Sequence, residues 1–487
     1  MMCEKVLTMK KMWEIIKKHY ELITYTVLSV LLFCACFYPA FAWVVAIFVV
    51  VFAGLLHDET KLIGLMLFLN CFYTLFNYQK ICGITLDIVI AGYLMVMIFV
   101  LYLYRVFKRE QRLNYKTLIT IGLFLIYVVL PFHECYWQDF FATLFFFVFV
   151  YIVFAERRQI NFVYVVRMFV AGIIISCLFA LLREVSSLLK EKIHLWNYSG
   201  LLRFQGLVFH PNTLYGLIVI AICAMALLKY KNKISLTEFL LTFIPMFIFG
   251  YLTLSRAFIV SIAVGLIIFI VFYFFKDNVK SLALFGVFIV VICIVGGIFF
   301  GATKVYFERI SNDMDVLSST QETRALAIEN LDEIFESHSA EWQQAVWKGE
   351  IHFDPGRQML RELYLRDWSS SPKTIWLGRG ISRPLIGQMS AHNLYIQELW
   401  KHGIIGCFFY AAMILCSINW KNIKQKIKIY LPVLLVLAPY ILITTVEQCM
   451  LDYVRIMLIL LSAGFLEQLS TPEIDKIQSN VEKPMDK

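Results

Sequence analysis

The pair His392-Asn393, followed after nine residues by Gly403-Ile404-Ile405-Gly406, sets a candidate general base ahead of two small residues at helical spacing. Histidine changes charge near neutrality and is the commonest general base. A single histidine at a helix mouth is more often structural. Its company sharpens it, because Gly403 and Gly406 are small enough to let the following helix pack closely. Arginines form the second group. Arg256 follows Thr253-Leu254-Ser255 at the junction of two apolar stretches. A charge at the centre of a membrane helix costs about 2.5–3.5 kcal/mol, and such residues tend to mark substrate paths. At a boundary the cost is lower, and snorkelling to the headgroups is the plainer reading. Arg357, Arg361, Arg366, Arg379 and Arg383 lie upstream of His392, with Arg203 further back. Most such residues are surface charges or partners of carboxylates such as Glu362 and Asp367. Yet the planar guanidinium fork binds phosphate oxygens bidentately, so several forks converging on one spot would suit a diphosphate.

Other chemistries find little support. There is no P-loop, zincin motif or EF-hand. Gly378-Arg379-Gly380 begins like a dinucleotide fingerprint, but Arg383 stands where the third glycine belongs and no strand–helix unit surrounds it. Asp313 and Asp315 could hold a divalent cation with a nucleotide diphosphate, though solvated loop carboxylates are the simpler reading. The 12 cysteines are scattered along apolar stretches without a CxxC pair, as small buried hydrophobes would be. No metal and no cofactor is expected.

These residues must be positioned by a very apolar chain. Of 487 residues, 60% are apolar and 16% charged, against about half and about a quarter in a soluble domain. That excludes a disordered chain, a disulfide-stapled secreted domain and an ordinary cytosolic enzyme. A bilayer core needs about 20 mostly apolar residues per helix. Stretches of that kind lie near 21–38, 41–56, 62–78, 84–104, 117–132, 139–156, 162–183, 213–229, 236–254, 257–275, 281–301, 403–420, 429–446 and 450–466. The first two are separated only by the corner Tyr38-Pro39-Ala40. The first stretch has no cleavage site and reads as a signal anchor.

The net charge of +9 would suggest nucleic acid in a soluble protein. Here it is expected to mark basic cytoplasmic loops, with no nucleic-acid partner. Lys5, Lys10, Lys11, Lys17 and Lys18 precede the first stretch, and the even-numbered loops carry clusters such as Arg105, Lys108, Arg109, Arg112 and Lys116. The odd loops before the seventh span carry almost none. This alternation places both termini in the cytoplasm. Two outer loops are long, 184–212 and about 302–391, and the second exceeds an ordinary connection. Within it Gln321 to Trp347 predicts an amphipathic helix, Asp354-Pro355-Gly356 stops it, and Gln358 to Trp368 resumes it until Ser369 to Pro372. The expected fold is therefore all-α: a polytopic membrane helix bundle with about 14 spans and a long folded external loop. Residues 1–301 form the first part of the bundle, 302–391 the loop domain, 392–466 the last spans and 467–487 a cytoplasmic tail.

His392-Asn393, nine residues and Gly403-x-x-Gly406 resemble the H-[N/S/Q]-x9-G-x-x-G pattern of the bacterial O-antigen ligase and polymerase superfamily. Three further pieces fit in order. Arg203-Phe204-Gln205-Gly206 with Pro211-Asn212 resembles the family's segment leading into a middle span. Leu254-Ser255-Arg256-Ala257 resembles its Ser-Arg at the outer end of a helix. Gly356-Arg357, ahead of Leu377-Gly378-Arg379-Gly380, resembles its loop arginine and glycine-rich turn. Arg361 or Arg366 could take the place of Arg357. The resemblance runs from about Arg203 to Gly406, and the earlier part of the chain matches only as a hydrophobic scaffold.

The resemblance implies a metal-independent glycosyltransferase of the bacterial cytoplasmic (inner) membrane. Its donor would be a glycan on undecaprenyl diphosphate, used at the outer leaflet. Arg256 and Arg357 would grip the diphosphate and His392 would activate the acceptor hydroxyl. Asn393 would orient His392 or bind sugar, and Arg203 and Arg379 would contact substrate. The first expectation is a polymerase of O-antigen or capsular polysaccharide repeat units, with membrane lipid, a chain-length regulator and a flippase as further partners. The alternative is a ligase that moves the glycan onto lipid A core or another acceptor. A lipid-linked oligosaccharide flippase is the competing class, but the two halves show no repeat.

Overall fold

The computed structural model describes residues 2–108, 114–155, 160–189, 197–198, 201–202, 204–208, 210–230, 232–253, 255, 257–265, 335, 338–353 and 357–417. Within these the chain is mostly helical. Four helices are long and apolar enough to cross a membrane by length and composition: Tyr20–Phe37, Leu86–Phe107, Phe162–Val185 and Pro211–Lys229. Shorter apolar helices accompany them. Arg203, Arg256, Asp313, Asp315, the Asp354-Pro355-Gly356 stop and every stretch after Ser417 lie outside the described residues.

The contacts divide into two compact units. The first takes in α1 (Met2–Phe37), α2 (Phe41–Leu55), α3 (Glu59–Asn70), α4 (Tyr73–Asn77), most of α5 (Leu86–Phe107) and most of α8 (Phe162–Leu189). The division expected near Pro39 is a real break, because α1 ends at Phe37 and α2 begins at Phe41. The stretch expected as one helix over 62–78 is instead divided. It stops at Asn70 and restarts at Tyr73, where Thr74 donates both its backbone N–H and its hydroxyl to the Leu207 carbonyl. Those bonds draw the chain out of the helical path. Tyr25 meets the rings of Phe52 and Phe68 edge-on, and Phe33 meets Phe179, so α1, α2, α3 and α8 share an aromatic core. A two-stranded hairpin, β1 (Lys80–Ile81) and β2 (Ile84–Thr85), turns at Cys82-Gly83 with both φ positive. That is the geometry a two-residue hairpin favours.

The second unit holds α6 (Tyr115–Val128), α7 (Trp137–Ala155), a short pair β3 (Asn197–Tyr198) and β4 (Leu201–Leu202), α9 (Pro211–Tyr230) and α10 (Leu236–Leu252). It continues with α11 (Ala340–Lys348), α12 (Arg357–Ser369), α13 (Pro372–Leu377) and α14 (Leu394–Ser417). α9 is buried almost throughout and packs on α10. A helix clad on all sides needs no polar face, which agrees with its unbroken apolar sequence. Gly250 lets the ring of Phe258 lie where a Cβ would stand.

The segment from 335 to 393 has its own core of Val346, Leu363, Tyr364 and Ile386, closed by Ala391 and Trp400. Phe335, Trp342 and Phe353 pack against it. Of the amphipathic helix expected over Gln321 to Trp347, the described part is α11, which begins at Ala340 and ends at Lys348; residues 321–334, 336 and 337 lie outside the described residues. Ser339 is extended and accepts from the Trp342 N–H as the N-cap of α11. The second expected helix appears as α12. Ser369 to Pro372 ends it and at once begins α13, where Ser371 and Thr374 form a capping box.

Candidate functional site

His392 sits at the entrance to α14, and its surroundings follow from how that helix starts. Asn393 is the N-cap: its side-chain oxygen accepts from the Ile396 N–H at 3.1 Å. The Ala391 N–H donates to the Gln397 side chain, so the chain turns back over the first helical turn. Between these two anchors His392 takes φ 47, in the left-handed region. Histidine is among the non-glycine residues enriched there. Gly387 and Gln388, just upstream, also have positive φ. Tyr364 holds that turn, donating its hydroxyl to the Met389 carbonyl and accepting from the Ile386 N–H. Burial pushes the Tyr364 phenol well above its ordinary range, so it stays a neutral donor.

α12 packs along the first part of α14, with Tyr364 edge-on to Trp400 at 4.8 Å between centroids. Arg357 and Arg361 lie four apart and so share one face of α12. Arg361 donates from Nη2 to the carbonyl oxygen of His392 at 3.1 Å. Arg357, the first residue of the helix, is exposed. Arg366 pairs instead with Glu362 at 2.5 Å, both exposed. Arg361, one of the two neighbours open to exchange with Arg357 in the sequence, thus touches the histidine backbone.

Arg379 is held within the fold. It grips Asp367 from Nε at 2.9 Å and Nη2 at 2.5 Å, while Trp400 Nε1 donates to the same carboxylate at 2.7 Å. Asp367 thus joins α12, the glycine turn after α13 and α14. Arg383 pairs with Glu134 at 2.7 Å. Charge-assisted bonds of this kind order a segment more than they await a ligand.

The glycines of the motif do something other than pack two helices. α14 is two helices meeting at Gly403, which has φ 58 and ψ −170. Gly378 has φ 76 and ψ −171. This region of backbone space is essentially glycine-only. A Cβ on either residue would run into the other's backbone. The first half of α14 ends here, and its last carbonyls need donors from outside. Arg379 N–H donates to the Trp400 carbonyl at 2.9 Å and Gly380 N–H to that of Lys401 at 2.8 Å. The Tyr127 hydroxyl reaches the His402 carbonyl at 2.6 Å and also contacts the Leu377 carbonyl. The expectation of close helix packing is thus corrected at Gly403, which breaks the helix. Gly406 does meet the Tyr127 ring of α6.

One residue escaped the sequence reading. His133, in the turn between α6 and α7, lies edge-on to the Tyr127 ring at 4.5 Å between centroids. Both its ring nitrogens are buried without a hydrogen-bond partner among the described residues. Burial, with His402 and Lys373 nearby, pushes its pKa down to about 4. The signal for it was the adjacent pair His133-Glu134 in an otherwise apolar stretch. No group of three metal-ligating side chains occurs among the described residues. No protein-family model matches this chain, and no curated protein matches it in sequence.

Proposed function

We propose that this protein is a membrane glycosyltransferase that polymerises undecaprenyl-diphosphate-linked repeat units into O-antigen or capsular polysaccharide at the outer leaflet. About 14 spans carry it in the bacterial cytoplasmic membrane, with the segment before His392 outside and both termini inside. The observation that supports this reading most is the meeting of α12 with the His392 turn. It sets Arg357 and Arg361 on one helix face beside a histidine held in an uncommon backbone conformation.

In the proposed reaction the acceptor hydroxyl oxygen bonds to the anomeric carbon while the bond from that carbon to the diphosphate oxygen breaks. The bonding pair leaves with the lipid diphosphate, and His392 takes the hydroxyl proton. Charge grows on the departing diphosphate, and cations fixed beforehand in a partly dry site stabilise it. Arg357 and Arg256 supply that charge. Arg379, engaged with Asp367 and Trp400, holds the wall of the site.

Purified protein given lipid-linked repeat units alone tests the proposal. A ladder of lengthening products supports a polymerase, and transfer only after lipid A core is added identifies a ligase. His392→Ala, Arg357→Ala and Arg256→Ala should each abolish chain growth at normal membrane levels. Unchanged polysaccharide in all three would sink the reading.

A further inference from the structure

Three apolar elements of the second unit stop at one place. α6 ends at Val128, α7 begins at Trp137, and the apolar half of α14 begins at Gly403. The flanks of these elements carry exposed apolar side chains, among them Ile126, Phe141 and Phe408. At their common end the structure adds exposed aromatic rings. Trp137 is 72% exposed, Tyr136 65% and Trp376 54%.

The level of Trp376 is set by bonds. Tyr127, in the last turn of α6, holds the Leu377 and His402 carbonyls together. Gly403 lies against the Trp376 backbone. On the other side Ser382 Oγ accepts from the Tyr136 N–H at 2.7 Å, and the Glu134 N–H donates to the Arg379 carbonyl at 3.2 Å. α13 and the turn that follows it are thus tied to the ends of all three apolar elements. Thr374 faces inward and is buried, while Lys373 and Trp376, three apart, share the outward face.

Indole and phenol rings partition to the headgroup level of a bilayer, where one edge is apolar and the other wet. A lysine beside them is drawn to lipid phosphate. We propose that Lys373 and Trp376 of α13, with Tyr136 and Trp137, form a surface that beds in the lipid headgroups. This surface seats the segment carrying His392 directly on the membrane. The proposal rests on the reading of the apolar helices as membrane spans. The occupant is lipid, because the patch continues the apolar flanks of α6, α7 and α14 and ends them in rings and a cation.

The test uses the full chain in phosphatidylcholine vesicles whose acyl chains carry bromine near either the headgroup or the methyl end. Subtracting the emission of Trp376→Phe from that of the parent isolates Trp376, and Trp137→Phe does the same for Trp137. Both variants keep an aromatic ring at an exposed position. Each difference signal should lose more intensity to shallow bromine than to deep bromine, and little to aqueous iodide. Strong iodide quenching of both, with none from bromolipid, overturns the proposal and leaves water or a soluble partner on this face. The remaining tryptophans report separately on the membrane reading. If bromolipid quenches none of them, the spans themselves are overturned.

Discussion

The carbonyl oxygen of His392 and the guanidinium of Arg361 are joined by a hydrogen bond of 3.1 Å, thirty-one positions apart in the chain. The bond ties the left-handed turn at His392 to the face of α12 that also carries Arg357. A base works only within hydrogen-bond reach of its proton, so whatever holds this turn sets the reach of the imidazole.

Under the proposed function Arg361 is a positioning residue for His392. Small misplacements of a reacting group cost about 100-fold. Arg361→Ala should slow chain growth by about that factor at normal membrane levels, and Arg361→Lys should restore part of it through one remaining donor. Arg366→Ala, which removes an exposed pair with Glu362, should leave the rate near that of the parent. Equal rates for Arg361→Ala and Arg366→Ala would refute the positioning role.

The two glycines that meet back to back make a second prediction. Gly378→Ala and Gly403→Ala each force a side chain into glycine-only backbone space, at about 1–3 kcal/mol before any clash. Either should lower the thermal unfolding temperature in detergent. The double variant should cost less than the sum, because both act on one contact. Additive losses would mean that the contact is not shared.

Asp367 and Arg379 separate a structural pair from a ligand site. Asp367→Ala strips the carboxylate from both Arg379, which keeps the Asp367 carbonyl and Ser370 Oγ, and Trp400 Nε1, whereas Arg379→Ala leaves Asp367 still accepting from Trp400. A lost bond to a charged group costs about 1.5–3 kcal/mol. Asp367→Ala should therefore destabilise more than Arg379→Ala, as read by unfolding in detergent. Donor binding by Arg379→Ala should stay unchanged at temperatures where it remains folded. A selective loss of donor affinity would support instead the substrate contact that the sequence resemblance implies for Arg379.

His133 predicts a pH dependence. Its folded pKa is lowered to about 4 from an ordinary 6.5, first by burial and then by His402 and Lys373. The unfolded chain takes up a proton between these values and the folded chain does not. The stability this residue contributes is thus complete above about pH 6.5 and lost as pH falls through about 4. His133→Phe keeps a ring of similar size against Tyr127 and removes the titration. The parent should lose melting temperature from pH 6.5 towards 4 more steeply than this variant. Parallel curves would rule the effect out.

Much of this protein could be read from residue order alone, because the signals are local. Runs of apolar side chains, the Pro39 break between α1 and α2, and the periodicity of α12 each depend on neighbours a few positions apart. The adjacency of His392 and Asn393 is local as well, but that the asparagine caps α14 was shown only by the fold. Tertiary structure decided the rest, where a residue's role is set by a partner far along the chain. Gly403 reads in sequence as a small helix residue, and only contact with Gly378 and the Tyr127 hydroxyl makes it a break. Arg361, Arg366 and Arg379 are alike as letters. Packing of α12 on α14 puts the first on the His392 carbonyl, leaves the second with Glu362 on the surface, and binds the third to Asp367. A guanidinium bonds whichever acceptor the fold brings within about 3 Å, and that is a matter of long-range geometry.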